Sequence, residues 1–199
     1  MRVSIICPTV TGREESLART HAAYCRYTSD FEFIVIKDLP TCGHAWNAGY
    51  KEATGDYIHL TADDIEPFSP WAEIGVASVE AGFLPCARVL NSDGSLQSCG
   101  NNPDEVPDGT PSDLARIPFM SREQAEAIFP ILEIHYATDY WVSHRGAQAG
   151  WPTVVVREFC FYHHFAQAGR LDERLMDDMR TFWRAARLPG KPMPAGLSA

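Results

Sequence analysis

Val3 to Cys7 is an unbroken apolar run of strand length, closed by Pro8. Unbroken rather than alternating hydrophobicity marks a strand covered on both faces, which is how parallel sheets in α/β proteins are built. Phe31 to Ile36 and Tyr57 to Leu60 are two more strand candidates of this kind. Between the first two, Thr11-Gly12-Arg13-Glu14 has the form of a capping box, and Leu17, Ala18, Tyr24 and Cys25 supply the apolar stripe of a helix. Between the second and third, Ala45 to Ala53 predicts a short helix that Gly55 stops. Strand, helix, strand, helix, strand in close succession specifies right-handed βαβ crossovers and an open, mostly parallel sheet with helices on both faces.

The second half is mixed. Ser69 and Pro70 suit the start of a helix through Trp71, Ile74 and Val79, ending at Gly82. Leu84 to Leu90 and Ser95 to Ser98 flank Asn91-Ser92-Asp93-Gly94, whose Asp-Gly predicts a hairpin turn. Gly100 to Ser112 reads as a long loop, Ile117 to Met120 as a short strand, and Ser121 to Gln124 as a capping box. A helix over Ala137 to Gln148, a strand over Thr153 to Val156 and a last helix over Asp172 to Arg187 complete the pattern.

The chain has 199 residues, enough to bury about 70% of its unfolded surface without staples. With 17 Lys and Arg against 26 Asp and Glu, a formal net charge of −9 and no basic block, nucleic acid is not an expected partner. No stretch approaches the ~18 consecutive apolar residues of a membrane span, and the N-terminus lacks a signal-peptide core. Cys7, Cys25, Cys42, Cys86, Cys99 and Cys160 include no CxxC pair, so they read as reduced thiols and the chain as cytoplasmic. The sequence carries no signal of oligomeric state.

In an open α/β sheet ligands bind beyond the carboxyl ends of the strands. Strand one delivers Pro8, Thr9 and Thr11, strand two Asp38, and strand three Asp63 and Asp64. Two adjacent carboxylates leaving a buried strand are costly to desolvate without a cation, and Mg²⁺ or Mn²⁺ takes carboxylates together with substrate phosphates. A metal-bridged diphosphate fits that pattern; a solvated turn beginning a helix is the competing reading.

Asn47-Ala48-Gly49-Tyr50, Ala53-Thr54-Gly55-Asp56-Tyr57-Ile58, Asp63-Asp64-Ile65-Glu66-Pro67 and Trp71 form an ordered series. It resembles the first half of a family 2 glycosyltransferase with the GT-A fold. Val3 to Thr9 resembles that family's opening strand, and Asp93 to Gly100 resembles a stretch of its rhamnosyltransferase-like branch. The resemblance runs from about residue 3 to residue 165. It implies one GT-A domain over residues 1–188, with a nucleotide-binding half (1–66), an acceptor and catalytic half (67–170), a C-terminal helix (171–188) and a flexible tail (189–199).

The resemblance also implies roles. Pro8, Thr9, Thr11 and Asp38 would hold a nucleotide-sugar donor, a UDP- or dTDP-sugar, with Asn47 supporting the same pocket and Asp63 on the ribose or on a metal-bound water. Asp64 matches the last acid of the family's D-x-D motif and would ligate Mn²⁺ or Mg²⁺, while Ala62 stands where the motif's first acid belongs. Asp139, in His135 to Trp141, matches the acid that serves as general base toward an acceptor hydroxyl of unknown identity. A plain helix N-terminal acid is the alternative for it. His163 or His164 would complete the metal shell; consecutive residues on an extended segment point opposite ways, so at most one reaches it, with His163 preferred.

The implied activity is an inverting, metal-dependent sugar transfer from a nucleotide diphosphate. A catalytically silent nucleotide-sugar-binding module and a sugar-1-phosphate nucleotidyltransferase are the rivals; the second would want a glycine-rich phosphate loop that Pro8 to Arg13 lacks. The five tryptophans read as core or pocket walls. The arginines of the last helix are offset by Asp172, Glu173, Asp177 and Asp178.

Overall fold

The computed structural model describes residues 2–97, 106–164 and 171–186. In chain order the elements are β1 (Val3–Thr9), α1 (Glu14–Cys25), β2 (Phe31–Lys37), α2 (Cys42–Glu52), β3 (Tyr57–Leu60), β4 (Ile65–Pro67) and α3 (Trp71–Glu80). There follow β5 (Leu84–Asn91), β6 (Phe119–Ser121), α4 (Arg122–Ile128), α5 (Thr138–Gln148), β7 (Thr153–His163) and α6 (Leu171–Ala186).

β1 is buried at six of its seven residues, as its unbroken apolar run requires, and lies between β2 and β3, parallel to both. β6 joins antiparallel to β3, giving the order β2-β1-β3-β6. The mostly parallel sheet expected from the first sixty residues is therefore present. The rest of the chain makes a sheet of its own, in the order β4-β7-β5. β4 is three residues long, too short to show a period, so nothing in its sequence distinguished it from the turn after Asp64.

One aromatic core joins the two sheets: Val3 and Ile5 of β1, Val89 of β5, Phe161 of β7, Phe119 of β6 and Trp71 of α3 belong to it. His59 of β3 lies inside, its ring stacked on Trp71 at 5.1 Å. His59 Nδ1 is 3.1 Å from the carbonyl of Pro118, and Nε2 is 2.9 Å from Tyr24 Oη. Burial, against that backbone contact, pushes the imidazole pKa down to about 3, so the ring is neutral. A second core, with Ile6, Trp46, Ile58, Leu84 and Val142, packs α2 and α5. α6 docks through Phe182 and Ala186 onto Ile134 and Ala137.

Local signals were honoured unevenly. The Ser121 capping box closes, with both reciprocal bonds made. The Thr11 box does not: α1 starts after Arg13 without a side-chain cap. Thr11 instead gives its N–H and its hydroxyl to Asp38. Ser69 caps no helix either, because its hydroxyl serves the backbone of Cys160. The Asp-Gly turn forms, with Gly94 at φ 82° and Asn91 N–H donating to Ser95 O. Among the described residues its second arm pairs through the bridge Leu90 to Leu96 and the Gln97 N–H donating to Val89 O; Ser98 lies outside them. β7 runs seven residues past the predicted end at Val156, through a register shift opposite Ala87 and Arg88 where Arg157 and Glu158 are exposed. Cys99, most of the loop before Val106, and the tail lie outside the described residues. Cys7, Cys25 and Cys42 are free thiols.

Candidate functional site

Pro8, Thr9, Asp63 and Asp64 meet at the carboxyl edge of the first sheet, where they line one cavity of ≈ 460 Å³. Thr9 Oγ1 donates to Asp63 Oδ2. The hydroxyls of Ser16 and Thr20 on α1 donate to the Asp63 carbonyl at 2.8 and 2.9 Å, which fixes the backbone of the acid pair. Burial and neighbouring Asp64 raise the Asp63 pKa against the pull of Thr9 and Arg13.

Arg13 is the residue that the sequence reading did not place. Its Nε donates to Asp63 Oδ2 at 2.9 Å and its Nη2 to Asp64 Oδ2 at 2.9 Å. A further Nη2 contact to Asp63 Oδ1 is 2.8 Å. The two acids hold its pKa above the ordinary arginine value, overriding partial burial. Arg13 appeared only as the middle of a capping box, and no local spacing links it to acids about fifty positions on.

His163 and His164 separate as their alternation requires. His163 lines the cavity, with Nε2 3.6 Å from Asp64 Oδ1 and Nδ1 3.1 Å from Gln97 Oε1. Burial lowers its pKa against the opposing charge of Asp64. His164 is turned to the other side, with Nδ1 2.9 Å from Ser92 Oγ and Nε2 3.3 Å from Glu66 Oε1. It is not placed to ligate an ion held by Asp64; only its N–H, donating to the Asp64 carbonyl at 2.8 Å, serves the site.

Asp38, Thr11 and Asn47 do not line the cavity. The Asp38 carboxylate is taken up by Thr11, whose N–H and hydroxyl hold its pKa down. Its backbone sits in the left-handed region at φ 57°, and the next residues, Leu39 and Pro40, form the cavity edge. Asn47 spends its amide on Ile131, donating to its carbonyl at 2.9 Å and accepting its N–H at 2.8 Å. Gly43 lies against the carbonyl of Leu132, where a Cβ would collide, and donates its N–H to Ile134 O at 3.0 Å. α2 thereby fixes the segment leading to His135 and Tyr136, which do line the cavity. Asn47 thus supports the pocket from behind rather than meeting a ligand. From α6, Asp178 accepts the N–H groups of both His135 and Tyr136, and Arg174 donates to Pro40 O at 3.0 Å.

Asp139 lines a second cavity of ≈ 680 Å³, which shares Cys42, Ala62, His135, Tyr136 and His163 with the first. The two cavities therefore meet where Ala62 and His163 stand. α5 starts from Ala137 in the left-handed region at φ 61°, a strained conformation for alanine and one that concentrates at functional sites. Burial raises the Asp139 pKa, and Arg116 only partly opposes it. A carboxylate of heightened basicity in a half-enclosed cavity is equipped to accept a proton. Its helix-end position is real as well: Tyr140 N–H donates to its Oδ1 at 3.0 Å.

Among the described residues no three His, Cys, Asp or Glu side chains converge as a metal cage. Asp64 Oδ1 and His163 Nε2 form a pair of donors, with Arg13 on the opposite Asp64 oxygen. Mg²⁺-like ions take few protein ligands and fill the remainder with phosphate oxygens and water, so this pair fits the protein's share of such a site.

No protein-family profile matches the chain, and no curated protein matches it by sequence. Solved structures do match. S. aureus TarS 1–349 superposes with a TM-score of 0.68 at 12% identity, covering 91% of this chain and 64% of that one. The same protein in complex with UDP-GlcNAc gives 0.70 at 12%, over 91% and 65%, and in complex with UDP 0.66 at 13%, over 90% and 64%. The chain thus spans just under two thirds of the length of those structures. Its fold is that of a GT-A glycosyltransferase domain.

Proposed function

We propose that this chain is a nucleotide-sugar glycosyltransferase of the inverting, family 2 kind, close to the rhamnosyltransferase-like branch, acting in the cytoplasm on a hydroxyl acceptor. The observation that carries the reading is the junction of two cavities: the acid pair opens on one, Asp139 on the other, and Ala62 and His163 border both. The likeness to structures holding UDP and UDP-GlcNAc supports a uridine diphosphate donor as the first to test, with dTDP-sugars next.

The donor lies along Pro8 and Thr9 with its diphosphate toward Arg13, Asp64 and His163. A Mn²⁺ or Mg²⁺ ion, when bound, offsets the charge that develops on the leaving diphosphate. Arg13 keeps the acid pair from repelling that diphosphate, since its guanidinium already neutralises one of the two carboxylates. The acceptor hydroxyl enters through the second cavity. Its oxygen bonds to the anomeric carbon as the carbon–oxygen bond to the diphosphate breaks; Asp139 takes the hydroxyl proton, and the nucleoside diphosphate leaves with the bonding electron pair. Attack from the face opposite the leaving group inverts the anomeric carbon.

A thermal-shift series over UDP, dTDP, GDP and ADP, with and without Mn²⁺, followed by donor turnover, tests this. The expected result is Mn²⁺-dependent stabilisation by one base, about 2.7 kcal/mol at a hundredfold excess over Kd, together with release of free nucleoside diphosphate from its sugar. Stabilisation with no release, whatever acceptor hydroxyl is supplied, identifies a binding module. No response to any nucleotide removes the donor site.

A further inference from the structure

Gln97 closes the Asp93 to Gln97 turn and borders the Asp139 cavity, and nothing in the transfer chemistry above uses it. Its backbone is tied to β5, with its N–H donating to Val89 O at 2.9 Å. Its side chain sits between two groups of the site. Arg116 Nη2 donates to Gln97 Oε1, and Arg116 Nη1 to the Gln97 backbone carbonyl at 3.2 Å. A guanidinium only donates, so the amide oxygen must be the atom that faces it. The amide nitrogen then lies toward Asn91 Oδ1, at 3.4 Å.

The same Gln97 oxygen is 3.1 Å from His163 Nδ1. An amide oxygen only accepts, so His163 Nδ1 carries the proton. In the neutral ring the lone pair is then on Nε2, which lies 3.6 Å from Asp64 Oδ1. A nitrogen lone pair 3.6 Å from a carboxylate oxygen is an arrangement that a cation between the two would stabilise. The opposite tautomer would direct an N–H there instead.

We propose that Gln97, oriented by Arg116, is a positioning residue that holds His163 in the Nδ1–H tautomer and so presents Nε2, beside Asp64, as a ligand for a divalent cation. The inference rests on the proposed cation-assisted donor site. Partners that hold a ligating imidazole in this way are typically worth tenfold to a hundredfold in metal affinity.

Two readouts test it, and neither depends on turnover. Long-range proton–nitrogen correlation NMR on the metal-free chain at alkaline pH, where imidazoles are neutral, reads the tautomer directly. Titration with Mn²⁺ in the presence of UDP reads the cation site. The expected results are an Nδ1–H tautomer in the wild type and its loss in Gln97→Leu, with Mn²⁺ affinity down about 10- to 100-fold. Gln97→Glu, which keeps an acceptor oxygen, is expected to keep the tautomer. An Nε2–H tautomer in the wild type overturns the proposal without recourse to any variant, as does a Gln97→Leu chain with unchanged tautomer and unchanged Mn²⁺ affinity. His163→Ala separates the two levels. If it leaves Mn²⁺ affinity intact, the cation-site reading fails; if it abolishes that affinity while Gln97→Leu does not, only the role of Gln97 fails.

Discussion

Arg13 Nη2 lies 2.9 Å from Asp64 Oδ2, and the same nitrogen is 2.8 Å from Asp63 Oδ1, so one guanidinium bridges both acids at the end of the first sheet. The two carboxylates are almost fully buried, while Arg13 keeps 30% of its side chain in solvent. The acid pair is thus a partly neutralised unit fixed to the start of α1.

Removing that bridge is expected to be felt in stability. Arg13→Gln leaves two adjacent buried carboxylates without their cation. Discounted for the exposure of Arg13, the loss is about 1 kcal/mol, or about 2–4 °C in Tm for a chain of this size. Differential scanning calorimetry at neutral pH measures it. An unchanged Tm would mean that the ion contacts add nothing net to the fold.

Asp64→Asn tests the other side of the same carboxylate. Asparagine keeps the shape but loses the charge that would face a cation beside His163. Metal-free UDP binding is expected to persist and the gain on adding Mn²⁺ to vanish. Isothermal calorimetry with and without Mn²⁺ decides it, and an undiminished gain would take Asp64 out of the cation site.

How much of this was readable in the sequence follows from the range of each signal. β1, β2 and β3 show as apolar runs because burial on both faces needs no long-range information. Thr9, Asp63 and Asp64 were in reach because they stand at or just beyond the carboxyl ends of those strands. Arg13 was not, since its partners lie across the sheet, nor was the use of Thr11, whose local capping pattern lost to Asp38. Asn47 was recognised as belonging to the site, but not as a clamp on Ile131, a residue 84 positions away. Strand alternation separated His163 from His164 without saying which of them turns to Asp64; in the structure it is His163. The second sheet was missed in part because β7 continues past a register shift, which breaks the pattern that defines a strand.

Acid should unfold the chain through its core as well as through its surface. His59 is buried and neutral, with a pKa pushed from about 6.5 to about 3. The unfolded chain therefore takes up a proton that the folded chain refuses. This contribution is fully present above pH 6.5 or so and is lost as pH falls toward 3; a depression of that size corresponds to about 5 kcal/mol. His135, His144 and His163 are shifted in the same direction and add to it. Urea unfolding from about pH 7 down to about pH 4 is expected to show a steep loss in the wild type and a shallower one in His59→Gln. Equal slopes would exclude His59 as the source.

Asp139 brings stability and chemistry together in one side chain, so one substitution separates its two readings. Burial raises its pKa, so charging it works against the fold. The penalty is absent below the unfolded carboxylate value and sets in as pH rises through the folded one. Asp139→Asn carries no charge and keeps an amide oxygen that can accept the Tyr140 N–H, so Tm should rise at neutral pH and approach the wild-type value in acid. As the acceptor of the hydroxyl proton, Asp139 cannot be replaced by an amide. Turnover should fall by about 10²- to 10⁴-fold, the usual worth of a general base, while the Kd for UDP stays unchanged. A helix-end acid without chemistry would give the stability gain and keep turnover. Loss of UDP affinity together with turnover would place Asp139 in the donor cavity and return the role of base to another carboxylate, with Glu133, 3.2 Å from His44 Nε2, next to be tested.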